Sequence, residues 1–317
     1  MNASALVSIC IPCHNAAHYV CQAIDSILSQ TWQNIEVIVV DDASTDSSRE
    51  VLRSCGSSRV QIAHVAYKNA AKSRNAALKI AQGEWIKFFD ADDLLSRETV
   101  EHQIRRLDGR IDAVASSCWG RFTNDDLNTF LPNPETTWRD MSSTDWLVES
   151  WRDAQPMMQP GIFLMHRSLL DKTGGWDESL SLIDDFEFFS RVICCSTEVL
   201  FTPSATLYYR SGLSGSLSAQ KSRIAAESAF NAIVKGTSQL LDRRSDLAAR
   251  RSCANVMQNY LYTVYPKFPH LRAEMSMRIA ELGGSDLPPS GGPWFQRARH
   301  LIGWKAARRL QRATGRF

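Results

Sequence analysis

No stretch of this 317-residue chain approaches the roughly twenty consecutive apolar residues that cross a bilayer, and Met1 to Ser4 opens neither a basic nor a long apolar leader. A soluble protein is therefore expected. Charge of one sign is missing too: 36 Lys and Arg face 34 Asp and Glu, which implies no general polyanion-binding surface and no nucleic-acid partner. The eight cysteines lack the paired spacings of a disulfide framework, which points to a reducing compartment, the cytoplasm. Cys10-Ile11-Pro12-Cys13, with His14 and His18 after it, has no second ligand pair at zinc-site spacing, so these read as core and loop residues. Glycine is absent from Pro12 to Ala17, just after the first strand pattern. That excludes the pyrophosphate turn of a dinucleotide-binding dehydrogenase, and no Walker-type loop occurs elsewhere. The same gap counts against a nucleotidyltransferase or other phosphoryl-transfer enzyme, the chief alternative function. No internal repeat is visible.

What the chain has is alternation. Its 44% hydrophobic content suffices for one large core with an appended lobe. Leu6 to Ile11 reads as a strand that stops at Pro12. A helix capped by Asn15 follows, with Val20, Ala23, Ile24, Ile27 and Leu28 on one face. Ile35 to Val40 is a continuous apolar strand suited to burial on both faces, and Ser44 caps the next helix. Val60 to Val65, a helix over Ser73 to Ala81 ended by Gly83, and a strand over Trp85 to Phe89 complete the pattern. Such alternation predicts a doubly wound, mostly parallel α/β sheet, whose ligands bind beyond the carboxyl ends of the strands. Two acidic clusters stand at such ends, Asp41-Asp42 and Asp90-Ala91-Asp92-Asp93. Crowded carboxylates raise one another's pKa and call for a cation, and an oxygen-rich set suits Mg²⁺ or Mn²⁺.

Farther along, Ala113 to Ser117, Gly161 to His166, Val199 to Phe201 and Thr206 to Tyr209 read as strands, and Trp146 to Trp151 as a short helix. Asp184-Asp185 opens a helix that continues to Val192. Ser211 to Ser218, rich in Gly and Ser, suits a mobile flap that would let Arg210 swing over a ligand. The pattern is helical from about Lys221 to Leu282. A Pro/Gly linker, Ser285 to Pro293, then leads to a tail over Trp294 to Phe317 with seven Lys and Arg and no Asp or Glu. Drawn as one helix, the tail places Lys305, Arg308, Arg309, Arg312 and Arg316 on one face and Trp294, Ala298, Ile302, Ala306 and Leu310 on another. That pattern fits peripheral contact with a membrane, with a solvated or subunit-contacting helix as the alternative.

Several motifs occur in order: Val7 to Asn15, Ser26 to Thr31, Glu36 to Asp46, Ser73-Arg74-Asn75, Ala81 to Glu84, Asp90 to Asp93, and Gly175-Trp176-Asp177-Glu178 leading to Asp184-Asp185. Together they resemble the inverting GT-A glycosyltransferases of family 2 over about residues 6 to 218. The resemblance implies a GT-A domain over 1–218, with a nucleotide-binding half to about 120 and an acceptor half over 121–218. A helical extension over 219–284 follows, then linker and tail over 285–317. It implies transfer of a sugar from a nucleotide-diphosphate donor, commonly a UDP-sugar, to a hydroxyl of a glycan or lipid-linked acceptor. Donor contacts would come from Pro12, Asn15, Asp42, Arg74, Asp90, Ala91 and Arg210. Asp90 and Asp92 would hold Mn²⁺ or Mg²⁺, Trp176, Asp177, Glu178 and Asp184 would meet the acceptor, and Asp185 would be the general base. Asp93 would bind the sugar or structure its turn. A catalytically inactive, glycan-binding relative is disfavoured because Asp42, Asp92 and Asp185 are all present. The chain departs from the family pattern in Asn69 to Asn75, which is short and lacks a glycine, so Lys72 is a candidate to share the work of Arg74.

Overall fold

The computed structural model describes residues 5–213 and 222–314. The first third alternates as the sequence predicts, through β1 (Val7–Cys13), α1 (Val20–Leu28), β2 (Ile35–Asp42), α2 (Ser48–Ser54), β3 (Val60–Val65), α3 (Ala70–Ile80) and β4 (Trp85–Phe88). The middle holds β5 (Leu94–Leu95), α4 (Thr99–Leu107), β6 (Ala113–Thr123), β7 (Asp126–Pro132), β8 (Met141–Ser142) and α5 (Ser143–Trp151). Then come β9 (Leu164–His166), α6 (Arg167–Thr173), α7 (Asp184–Cys195) and β10 (Glu198–Arg210). Four helices close the chain: α8 (Arg223–Leu241), α9 (Leu247–Val264), α10 (Pro269–Glu281) and α11 (Pro293–Thr314).

The strands form one mixed sheet in the order β3-β2-β1-β4-β9-β6-β10-β5, with β7 added on β6 and β8 on β10. The long pairings are parallel (β1 with β2 and with β4, β2 with β3, β6 with β10), whereas β9 runs antiparallel between β4 and β6. From β1 the chain moves outward to β2 and β3, then returns on the other side as β4. The strand order reverses between β1 and β4, and in such sheets ligands bind beyond the carboxyl ends of the strands at that point. Every residue of β2 is buried, as its unbroken apolar pattern requires. Gly83 is obligatory before β4, because a Cβ there would lie 2.7 Å from Leu6 O and 2.8 Å from Ser8 N.

Several local expectations need correction. β1 continues through Pro12 to Cys13, with Pro12 opposite Val40. Its pairing with β4 ends at Cys10, so the missing N–H of Pro12 faces a side with no strand partner. Asn15 and Ser44 cap no helix. Asn15 adopts a left-handed φ of 52°, its N–H donates to Ser44 Oγ at 2.9 Å, and its Oδ1 accepts from Thr45 N at 2.7 Å. Asp46 completes this stitch between the two βα loops, accepting from Ala17 N (3.1 Å) and Ser48 N (3.0 Å). α3 starts three residues early because Asn69 Oδ1 accepts from Lys72 N at 2.9 Å. The two strands expected after Val199 are one strand with an irregularity between Thr202 and Thr206. One disulfide, Cys21–Cys55, joins α1 to the end of α2 across 34 residues, where the spacings suggested only thiols. Cys10 and Cys13 are free and buried, as expected of core residues.

The C-terminal helices share the core of the sheet rather than forming one of their own: α8 lies on α7 and α9 on α5, and residues from both belong to the same buried cluster as β1 and β4. No helix among the described residues is long and apolar enough to cross a membrane.

Candidate active site

Arg74 is the centre of the candidate site. It lies in the second turn of α3, buried, with Nη1 donating to Asp184 Oδ2 and Nη2 to Asp90 Oδ1, each at 2.9 Å. Its guanidinium lies 4.3 Å from the ring centroid of Trp176. Trp176 stacks in turn on Phe188 at 4.0 Å, with Phe88 edge-on beneath. This aromatic floor explains how a cation survives burial: desolvation lowers its pKa, but Asp184 and Asp90 outweigh that and the net shift is upward. Arg74 thus joins the carboxyl end of β4 to the start of α7 despite the short Asn69–Asn75 segment.

Beyond β4, Asp90, Asp92 and Asp93 have different surroundings. Asp90 spends Oδ1 on Arg74 and accepts from Gln159 Nε2 at Oδ2, 3.2 Å away. Asp93 is buried, accepts from Arg210 N at 2.8 Å and also from Gln159 Nε2, and burial pushes its carboxyl well up. Asp92 is raised to about 6, first by desolvation and then by Asp90. No other side chain among the described residues hydrogen-bonds the Asp92 carboxylate. Asp92 thus offers an unpartnered hard-oxygen carboxylate beside Asp90, the chemistry a divalent cation takes, while no group of three or more His, Cys, Asp or Glu side chains that could hold a metal forms among the described residues. Gln159, which ties Asp90 to Asp93, escaped the sequence reading. Its signal was faint, a lone amide between Met158 and Pro160 in an apolar stretch.

Arg210 differs from the swinging group expected of it. It is 3% exposed. Its Nε donates to Asp92 O at 2.6 Å, Nη2 to Gln22 Oε1 at 2.8 Å, and Nη1 pairs with Asp125. The guanidinium is sandwiched between the rings of Tyr19 (4.8 Å) and Phe122 (4.6 Å). A cation with this many partners is a fixed brace under the acidic loop. Most of the expected flap, 214–218, lies outside the described residues.

Asp42, at the end of β2, accepts from Lys68 N (2.7 Å), Asn69 N (2.8 Å) and Ser73 Oγ (3.0 Å). It orders the loop before α3 and keeps one acceptor position free. Its neighbour Asp41 is buried. Desolvation alone would raise Asp41, but hydrogen bonds from Ser44, Arg49 and His64 prevail and lower it. Pro12 and Ala91 present backbone near the same strand ends, and Lys72 forms no ion pair among the described residues.

The segment expected to meet the acceptor is fastened to α3. Asn75 Oδ1 accepts from Trp176 N at 2.8 Å, while its Nδ2 reaches Trp176 O (2.9 Å) and Glu178 Oε1 (3.0 Å). Asn69 Nδ2 donates to Glu178 O and Leu180 O. Asp177 accepts from Ser179 and pairs with Lys235 of α8 at 2.5 Å. Trp176 is 3% exposed and serves as floor. Asp184 and Asp185 open α7, right after Ile183 in a left-handed conformation (φ 50°, ψ 32°), uncommon for a β-branched residue. Asp185 Oδ1 accepts from Phe186 N at 2.8 Å. Burial, and next Asp184, raise Asp185 from 3.8 to about 7, with Arg74 opposing.

The mixed sheet, its switch point and the carboxylates at its strand ends define the GT-A class of fold. The profile of glycosyl transferase family 2 matches residues 8–174, more than half of the 317 residues, and the chain belongs to that family. It is similar to the glycosyltransferase GlyG of Streptococcus pneumoniae serotype 4, 36% identical over 114 residues, which are 34% of this chain and 38% of GlyG. It is also 41% identical over 100 residues to the UDP-Glc:alpha-D-GlcNAc-diphosphoundecaprenol beta-1,3-glucosyltransferase WfaP of Escherichia coli, covering 31% of this chain and 40% of WfaP. The matched regions thus span about two fifths of these relatives. Over nearly the whole length the fold matches Staphylococcus aureus TarS 1–349 in complex with UDP-GlcNAc: TM-score 0.62, 17% identity, 98% of this chain and 92% of that one.

Proposed function

We propose that the chain transfers a sugar from a UDP-sugar to a hydroxyl of a lipid-linked glycan acceptor, inverting the anomeric centre in one displacement. Arg74 carries the reading. One buried guanidinium holds Asp90, at the candidate donor site, and Asp184, beside the candidate base, 2.9 Å away on either side. Family membership supports the reaction class. The UDP-glucose donor and diphosphoundecaprenol-linked acceptor in the name of WfaP support the substrate classes, and the UDP-GlcNAc bound to TarS agrees with the donor.

Asp92 and Asp90 would hold Mn²⁺ or Mg²⁺, which when bound offsets charge on a departing diphosphate. The protein's own residues account for the remaining steps. Asp42 has a free acceptor position for the donor's base, with Pro12, Asn15 and Ala91 lining the same strand ends. Asp185 takes the proton of the acceptor hydroxyl as that oxygen bonds to the anomeric carbon and the bond to the UDP oxygen breaks. A pKa raised to about 7 suits it, because a base works best when its pKa lies near the working pH. Arg74 holds Asp184 in place beside it.

Turnover of UDP-glucose and UDP-GlcNAc with diphosphoundecaprenol-linked GlcNAc tests the proposal. The expected result is UDP release that depends on the acceptor and a β-linked product. Release of pyrophosphate, or binding of glycan without any turnover across a panel of nucleotide sugars, would overturn it.

A further inference from the structure

Between Trp294 and Phe317 the chain carries seven Lys and Arg and no acidic residue. Its described part lies in Pro293–Thr314, which forms two helical arms joined at Gly303, whose φ of 75° and ψ of 155° a side chain would strain. The arms dock on the helical extension by their inner sides. Trp304 meets Tyr262 and Tyr265 edge-on, both at 4.9 Å, while Phe295, Ala307 and Gln311 are buried. Arg308 is used internally as well, lying 4.1 Å from the Phe295 ring and donating to Ser290 O at 2.6 Å. The single amphipathic helix drawn from sequence is thereby corrected: Arg308 faces inward, Trp294 and Ala298 are part-buried, and Arg316 lies outside the described residues.

The kink leaves an unusual surface outside. Leu301 (85% exposed) and Ile302 (50%) stand together at the tip of the elbow, with Leu310 (45%) farther along the second arm. Arg297, Lys305 and Arg309 are exposed on the same two arms, Lys305 5.8 Å from the Trp304 ring and Arg309 5.6 Å from the Tyr265 ring. Large apolar side chains at that exposure gain by leaving water, and the cations have no carboxylate on either arm to pair with. An apolar tip on cationic arms is complementary to the interface of an anionic bilayer, where headgroup phosphates meet the cations and the acyl boundary takes the tip. We propose that the α11 elbow docks the protein on an anionic lipid surface through Leu301 and Ile302, with Arg297, Lys305 and Arg309 against the headgroups. No step of the proposed transfer reaction enters this inference, and its test reads no turnover.

The full chain is sedimented with vesicles of phosphatidylcholine alone and of phosphatidylcholine mixed with phosphatidylglycerol. Binding is expected only to the mixed vesicles and should weaken as salt is raised. Leu301→Asp with Ile302→Asp should reduce it about tenfold or more, as should Arg297→Gln with Lys305→Gln and Arg309→Gln. Thermal melts and sedimentation velocity accompany each variant, and the triple Gln variant tests the inference independently if the Asp pair disturbs folding. Three results would overturn the proposal: no binding of the wild type to mixed vesicles, equal binding by wild type and both variants, or a wild-type dimer that the Asp pair dissolves. The last would assign the elbow to a second copy of the chain.

Discussion

Replacing Asp185 by Asn should stop the reaction and stabilise the fold at the same time. The side chain keeps its shape, and its amide oxygen can still accept from Phe186 N, which Asp185 contacts at 2.8 Å. What disappears is a charge that the fold holds at a cost. A carboxyl moved from 3.8 to about 7 corresponds to a ceiling of about 4 kcal/mol. Asp185 retains part of its accessible surface, and solvent there reduces the expected gain to about 1–3 kcal/mol. The sign follows from linkage. A carboxyl whose folded pKa is raised contributes stability below its unfolded pKa, and that contribution is lost as pH rises through the folded value. The stability gap between Asp185→Asn and wild type, from urea denaturation, should therefore widen from about pH 4 to about pH 7 and level off above that. Under the same conditions kcat should fall by about a hundredfold or more with donor affinity unchanged. A variant less stable than wild type at the higher pH, or a gap independent of pH, would refute the burial argument. Near-wild-type turnover would refute the base and turn attention to Asp184.

Chelation with EDTA should abolish transfer, Mn²⁺ or Mg²⁺ should restore it, and Asp92→Ala should lose metal-dependent donor binding in calorimetry; full activity in chelator would exclude the role. Gln159→Leu, which removes the amide joining Asp90 and Asp93, should weaken metal affinity by about 10–100-fold while secondary structure by circular dichroism stays unchanged. Arg210→Met should cost about 1.5–3 kcal/mol in urea denaturation, since it leaves Asp92 O and Gln22 Oε1 without their donor and removes the pair with Asp125; an effect confined to donor KM would restore a mobile role for Arg210. Lys87, buried on β4 with Gln103 Oε1 and Phe163 O as partners, is lowered to about 7 by desolvation. Wild-type stability should accordingly gain on Lys87→Met as pH rises from about 7 to about 10, where the unfolded chain binds the extra proton.

β2 and the acidic clusters were legible because burial on both faces writes an unbroken apolar run, as in Ile35 to Val40, and because a strand end is where such a run turns acidic, whereas β3, half-exposed, was legible from its alternation. Helix starts were less legible. Asn15 and Ser44 have the chemistry of caps, but each is nearer a partner in the other loop than a helix N–H, and sequence spacing does not record that. Arg210 was misread for a similar reason. Its neighbour in sequence is a Gly/Ser stretch, whereas its partners, Gln22, Asp92 and Asp125, come from other parts of the fold. The Cys21–Cys55 pair is likewise a product of helix packing that no local motif announces.

One guanidinium shared by two carboxylates has a thermodynamic consequence. Asp90 and Asp184 lie 94 positions apart in the chain, yet each holds a different nitrogen of Arg74 at 2.9 Å. If a ligand beyond β4 alters, through Arg74, the affinity for a ligand near Asp184, the second ligand alters the affinity for the first by an equal free energy. Such reciprocity is obligatory for binding equilibria and needs no moving domain. Arg74, on its aromatic floor, is the side chain through which occupancy beyond β4 and occupancy before α7 would report on each other.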